Sequence, residues 1–274
     1  MGIERAEIWN IRVGRILAIA NQKGGVGKTT TSVNLAASLK ITRKKVLLID
    51  FDPQGNATMG SGVDKSSLEK SVYHLLAQLA EFDDVVLRAE VAGYDLLPSN
   101  GDLVASEVEL MSTEGREMKL RQIVEPVRDR YDFILIDCPP ALNMLTINAL
   151  VAADGVVIPM QCEYYALEGL SALMETIGAI KDRLNPDLKI EGILRTMYDP
   201  RNKLTTVVNG QLFNYFGDTV YRTVVPRNIR LAEAPSHGKP VIKYDKRSRG
   251  AIAYLALAGE LLRRHDEAAA SASG

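Results

Sequence analysis

The stretch "NQKGGVGKTTT", Asn21 to Thr31, decides how the rest of the chain is read. Before it runs "RILAIA" (15 to 20), apolar and strand-like, and after it a helix-compatible segment, 28 to 40. Strand, glycine-rich turn and helix together are the setting of a phosphate-binding loop. Glycines let successive backbone N–H groups turn inward around an anion at a positive helix terminus. In that frame Gly24, Gly25, Val26 and Gly27 form the cradle and Lys28 neutralises the β and γ phosphates. Thr29 offers its hydroxyl to magnesium, with Thr30 beside it among the nucleotide contacts. The usual pattern asks for glycine at position 22, where this chain has Gln22, and the next residue is Lys23. Lys23 could be a solvated loop lysine. A cation held among phosphate-cradling glycines is more economically another phosphate contact.

Working outward, apolar runs recur at 45 to 52, 94 to 99, 131 to 139, 155 to 161, 190 to 198 and 219 to 226. Helical patterns lie between them at 66 to 79, 107 to 129, 143 to 152, 168 to 184, 205 to 216 and 249 to 264. Runs that are apolar throughout, rather than alternating, suit strands covered on both faces. Strand then helix, repeated, means parallel pairing through right-handed crossovers. The expectation is α/β: a single-domain, mostly parallel twisted sheet with helices on both faces, spanning 15–264. A chain of 274 residues, 46% hydrophobic, can bury one such core. Residues 1–14 form an N-terminal extension whose Trp9 and Ile11 are read as packing on the body, and 265–274 a small, polar, flexible tail.

Several classes are excluded. No apolar run approaches a membrane span, no signal peptide is evident, and Ala6 breaks the myristoylation pattern, so a cytoplasmic location is expected. Cys138 and Cys162 are too few for a disulfide framework and have no metal-type spacing, which leaves buried thiols. The net charge of −1 conceals a split. Asp64 to Glu117 holds twelve acids against four Lys and Arg, whereas Arg222 to Arg249 holds eight Lys and Arg against two acids. Such asymmetry can build a basic face or simply a solvated surface.

Two further segments suit nucleotide chemistry. "LLIDFDPQGN" places Asp50 and Asp52 at the carboxyl end of a strand, where the ligand crevice of an open α/β sheet lies. One residue apart on a strand, both could turn toward magnesium and the attacking water; an Asp turn or helix cap before Pro53 is the structural alternative. "FILIDCPP" ends a wholly apolar strand with Asp137, as a magnesium-holding carboxylate should, and Pro139-Pro140 stiffen a candidate γ-phosphate switch.

With these three motifs the chain resembles the ParA family of chromosome and plasmid partitioning ATPases, within the deviant Walker class that includes MinD and the nitrogenase iron protein. The likeness runs from about Arg15 to about Leu262 and includes "DFDPQGNAT", "IDCPPALNMLTINAL", "VIPMQCEYYALEGL", "VVPRNIRLAEAPSHGKP" and "DKRSRGA", which point to the Soj-like branch. The resemblance implies ATP and Mg2+ as ligands. It implies Lys23 as the signature lysine reaching a partner subunit's nucleotide, Lys28 as the P-loop lysine, and Thr29 with Asp137 as the magnesium site. Asp52 would be the switch carboxylate, near the metal and orienting the hydrolytic water, with Asp50 in support. Pro226, Arg227 and Asn228 would read adenine and ribose, though a strand-ending turn would also explain them. The family's nucleotide-dependent homodimer binds double-stranded DNA without sequence preference, which implies nucleoid association. Here Arg201 and Arg230 match its basic residues, and Lys243, Lys246, Arg247 and Arg249 join them on charge alone. A ParB-type centromere-binding protein is the implied partner.

Three other readings are weighed. A MinD-like membrane-cycling ATPase needs a basic amphipathic C-terminal helix, yet "AIAYLALAGELLRRHDEAAASASG" has only Arg263 and Arg264 as cations. A nitrogenase-type reductase needs a cysteine between the switch aspartate and Asp137, and none is present. A metabolic P-loop enzyme needs an acceptor motif that is not seen here.

Overall fold

The computed structural model describes residues 14–163 and 166–272. The expected packing of Trp9 and Ile11, with nearly all of the N-terminal extension, lies outside the described residues, as do residues 273 and 274. The strands are β1 (Arg15–Ile19), β2 (Val46–Asp50), β3 (Leu87–Ala89), β4 (Tyr94–Leu97), β5 (Phe133–Asp137), β6 (Gly155–Gln161), β7 (Lys189–Tyr198) and β8 (Val220–Pro226). They form one sheet in the order β3-β4-β2-β5-β1-β6-β7-β8. Every pairing is parallel except β3 with β4. In β2 and β5 every residue is buried, as continuous apolar runs require when helices cover both faces.

The first helices are α1 (Lys28–Ile41), α2 (Asn56–Gly60), α3 (Val72–Leu76), α4 (Phe82–Val85), α5 (Leu103–Met111) and α6 (Lys119–Val124). After them come α7 (Met144–Ala152), α8 (Ala166–Arg183), α9 (Lys203–Phe216), α10 (Ile229–Glu233), α11 (Val241–Tyr244) and α12 (Arg249–Ala272). Two apolar cores flank the sheet. One joins α5, α7 and α8 residues such as Leu110, Leu150 and Leu173 to Ile134 and Ile136. The other packs α1 and α12, through Leu35, Tyr254 and Leu261, on Leu17 and Leu135.

Four differences from the sequence reading have local causes. The segment 66 to 79 is not one helix: Asp64 caps a single 3-10 turn by accepting from Ser66 N, and α3 starts afresh behind Ser71 and stops before Gln78, whose φ is 59°. The segment 107 to 129 is broken as well. Helix α5 begins earlier, at Leu103, and ends at Met111, and Pro126, which cannot donate, leaves Glu125–Arg130 as 3-10 helix. Strand β3 is three residues long, too short to show a period. Helix α12 continues past the expected end at 264 to Ala272.

The outer edge at β8 is closed from the side: Glu260 of α12 accepts from Arg222 N at 2.7 Å and Thr223 N at 2.9 Å. Arg264, one turn along α12, donates to the same carboxylate at 2.9 Å.

Candidate functional site

The carboxyl ends of β1, β2 and β5 lie side by side, with Ile19 and Asp50 both in register with Asp137. The loop leaving β1 is fixed at its root by Asn21, whose Nδ2 donates to Pro159 O at 2.8 Å and whose Oδ1 accepts from Lys23 N at 2.9 Å. Gly25 and Gly27 have φ of 73° and 88°, the left-handed region that glycine enters without strain. A Cβ built on Gly24 or Gly25 would meet no atom within 4 Å, so the cradle faces open space of the kind a phosphate group fills. Helix α1 begins directly at Lys28, bringing its unpaired N–H groups to that space.

Lys28 is 7% exposed, and its Nζ donates to Lys23 O at 3.2 Å. Burial lowers its pKa, against the opposing pull of Asp137. Lys23 points elsewhere: its Nζ lies 2.7 Å from Glu163 Oε2, and both side chains are exposed. The structure therefore separates the two lysines, one inside the loop and one outside it.

Asp137 is fully buried. Its Oδ1 lies 2.7 Å from Ser32 Oγ, while its Oδ2 has no hydrogen-bond partner. Its pKa is raised by burial first, then by the charge of Asp50, with the Ser32 and Thr29 hydroxyls lowering it in part. An orphaned buried carboxylate oxygen beside Thr29, near the buried Lys28, fits a hard divalent cation. Asp50 and Asp52 do not act as a matched pair. Asp50 is wholly buried and committed to structure, accepting from Thr58 N and Thr58 Oγ1, both at 2.7 Å. Asp52 is also buried but less completely, 8% exposed, with its Oδ1 accepting from Gln54 N at 2.9 Å in a tight turn. Ser99 holds that turn from below: its Oγ donates to Asp52 O and its N to Thr58 Oγ1, both at 2.9 Å.

Beside the loop lies a largely apolar cavity of about 220 Å³, lined by Gly27, Thr30, Met197, Pro226, Arg227, Asn228 and their neighbours. Its floor is tied to the P-loop by Thr196, which is 2% exposed and whose Oγ1 donates to Val26 O at 2.8 Å. The next residue, Met197, has a φ of 48°, unusual for a side chain of its kind. Pro226, Arg227 and Asn228 thus share this cavity with Thr30, and Asn228 also caps α10 by accepting from Leu231 N.

Of the basic candidates, Arg201 follows β7 and Arg230 lies on α10 just after β8, while Lys243, Lys246, Arg247 and Arg249 lie on α11, the loop after it and the start of α12. Arg201 pairs with Asp199 at 2.7 Å, and Arg227 lies near enough to help lower the Asp199 pKa, after the stronger effect of Arg201. Arg230 pairs with Glu233 at 2.7 Å and with Asp245 at 3.5 Å, which joins α10 to the loop carrying Lys246 and Arg247. Lys243, Lys246, Arg247 and Arg249 are exposed. The two cysteines are buried and free, Cys138 with its thiol raised by burial and Cys162 with its thiol pushed up to about 11.

Sequence reasoning missed Asn21, Ser32, Thr58, Ser99, Thr196 and Met197. Ser32 could have been found, since it stands one helical turn after Lys28 on the same side of α1. Thr196 carries no local signal.

Residues 14–190 match the AAA domain family. The chain is 55% identical over 249 residues to the sporulation initiation inhibitor protein Soj of Bacillus subtilis, covering 91% of this chain and 98% of that protein. It is 50% identical over 252 residues to the chromosome partitioning protein ParA of Myxococcus xanthus, covering 92% and 89%. Among solved structures it is similar to cobyrinic acid a,c-diamide synthase from Mycobacterium smegmatis with a bound ATP analogue and magnesium, at 37% identity and a TM-score of 0.82, covering 93% of this chain and 96% of that one.

Proposed function

The chain belongs to the ParA/Soj family of P-loop ATPases, and from that premise we propose that it is an ATP-dependent dimerising switch that binds DNA without sequence preference and drives DNA partitioning. The observation that carries this reading is the division of labour between its two loop lysines. Lys28 is buried against the loop and serves the chain's own nucleotide, whereas Lys23 points outward, where a second copy can present its own.

ATP binds with its phosphates in the Gly24–Thr29 cradle and its base in the cavity beside Pro226, Arg227 and Asn228. Thr29 and Asp137 hold Mg2+, which when bound neutralises charge on the phosphates. Asp52, in its turn with Gln54, orients the attacking water, and Asp50 fixes that turn through Thr58. Closure of the dimer doubles the basic surface around Arg201, Arg230, Lys243, Lys246 and Arg247, and each phosphate neutralised steepens the dependence on salt. Hydrolysis releases DNA, and a ParB-type partner stimulates it. Nucleoid association in the cytoplasm follows from the same surface.

The burial of α12 argues against a MinD-like membrane cycle, because its apolar face, including Ala251, Tyr254, Leu257 and Leu261, is spent on the core. No described helix is long and apolar enough to cross a membrane. The deciding experiment is fluorescence anisotropy on random-sequence duplex DNA with ATP or with ADP. ATP should tighten binding by at least about tenfold, a difference of about 1.4 kcal/mol. Equal affinity in both nucleotides overturns the proposal.

A further inference from the structure

Arg195, within β7, is 5% exposed, and the nucleotide chemistry described above makes no use of it. Burying a guanidinium is costly unless its donors are engaged. Among the described residues, the groups that engage this one are neutral. One terminal nitrogen donates to Asn209 Oδ1 on α9, and the other donates to Tyr221 O at 2.6 Å and Arg222 O at 3.0 Å on β8. The guanidinium centre lies 4.9 Å from the Phe213 ring centre and 5.6 Å from that of Tyr198. Its Nε is buried without a partner. One side chain thus joins α9, β7 and β8.

What it joins is irregular. The two strands pair Ile193 with Val220, Arg195 with Val224 and Tyr198 with Pro226. Two steps along β7, 193 to 195, are answered by four along β8, 220 to 224; the next three along β7, 195 to 198, are answered by two, 224 to 226. A bulge takes backbone groups out of the ladder. Here side chains receive them: the carbonyls of Tyr221 and Arg222 accept from Arg195, and the N–H groups of Arg222 and Thr223 donate to Glu260. The Tyr221 ring covers Gly192, where a Cβ would come within 2.3 Å of it, and the Arg264 guanidinium lies 4.3 Å from the same ring. In the second irregular stretch Met197 takes its φ of 48°. Backbone held in so sparsely populated a region persists where its neighbours over-determine it.

Both stretches open on the cavity beside the P-loop. Met197 lines it from β7, and β8 runs through Val225 into Pro226, Arg227 and Asn228, which line it as well. A change in the phase of β8 against β7 moves these residues relative to Thr30. It leaves the Gly24–Thr29 cradle in place, because that loop is carried by β1 and α1.

We infer that Arg195 is a positioning residue for the nucleotide base: by pinning the β8 bulge it fixes how Met197 and residues 226–228 face each other across the cavity. It touches no part of the ligand. Its effect is on affinity gained through the base, not through the phosphates. The inference rests on the placement of the base in this cavity given above.

The test compares ATP with inorganic tripolyphosphate, which can fill the cradle but has no base, each with magnesium and the full chain, by titration calorimetry. The parent should prefer ATP. Arg195→Met keeps an unbranched buried side chain but cannot donate. It should lose ATP affinity by about tenfold, the effect of leaving buried carbonyls unpaired, and hold tripolyphosphate within about twofold of the parent. Arg195→Lys keeps a donor without the planar fork and should fall between. A preference for ATP that is unchanged in both variants overturns the inference and leaves the placement of the base standing. Equal loss of ATP and tripolyphosphate affinity overturns it too, because Arg195 would then serve the fold as a whole. If the parent itself binds the two alike, the placement of the base falls and the inference falls with it.

Discussion

Lys28 Nζ lies 3.2 Å from the carbonyl oxygen of Lys23, so the cation of the P-loop is held by the loop it serves. That bond positions Lys28 before nucleotide arrives, and the same turn sends the Lys23 side chain outward. Lys28→Ala should lower ATP affinity by about 10- to 100-fold, the loss expected for a hydrogen bond to a charged group. Lys23→Ala should leave monomer affinity within a few-fold, since its exposed pair with Glu163 contributes at most about 1 kcal/mol. Its ATP-dependent dimer, read by light scattering, should be lost; a normal dimer in Lys23→Ala would remove that lysine from the interface.

Asp52→Ala is expected to bind ATP normally, stop turning over and accumulate as a DNA-bound dimer. Phosphate release and DNA retention, measured on one sample, check both halves. Loss of nucleotide binding instead would mean that Asp52 serves the fold.

Thr196 ties the base cavity to the cradle through its bond to Val26 O. Thr196→Val keeps the shape but leaves that carbonyl unpaired, a cost of about 1 to 3 kcal/mol. The effect should appear as a KM for ATP raised by about tenfold, with kcat much less changed. Thr196→Ser, which restores the hydroxyl, should recover most of the loss. Equal behaviour of the two variants would deny the bond any role.

Arg230→Ala should dimerise with ATP but bind DNA weakly, and the slope of log affinity against log salt should fall by about one for each arginine removed. Because Arg230 is shared with Glu233 and Asp245, Glu233→Gln should strengthen DNA binding. An unchanged salt slope in Arg230→Ala takes this residue off the DNA face.

Glu260 gives a pH signature. Burial alone would raise its pKa, but the Thr223 and Arg222 contacts and Arg264 outweigh that and hold it below the ordinary glutamate value. A carboxylate depressed in the folded state adds stability above its unfolded pKa, about 4.3, and loses it as pH falls through the folded value. Glu260→Gln should therefore melt below the parent at neutral pH, and the gap should close in acid. A gap that does not change with pH would refute the charge-based account.

Much of this was legible in the sequence because the signals are local. The loop from Asn21 to Thr31 announces itself by glycine spacing, and Asp137 by ending a wholly apolar run. The parallel sheet follows from runs such as "KVLLIDFD", buried on both faces. What stayed hidden depends on contacts distant in sequence. Thr196 meets Val26 from 170 residues away. The different fates of Asp50 and Asp52 are decided by Thr58 and Ser99, which no spacing rule connects to them. The helices expected at 66 to 79 and 107 to 129 are broken by features that apolar periodicity does not register: the restart behind Ser71, the left-handed Gly115 at φ 63° and Pro126.

The carboxylate of Glu260 against β8 also bears on how the molecule tolerates crowding. An outermost strand with free N–H groups invites a strand from a neighbour, the first step toward aggregation. Here two of those groups, Arg222 N and Thr223 N, are already engaged by a helix of the same chain. A chain whose outer strand is covered in this way is steered away from accidental strand exchange between copies, however crowded they become.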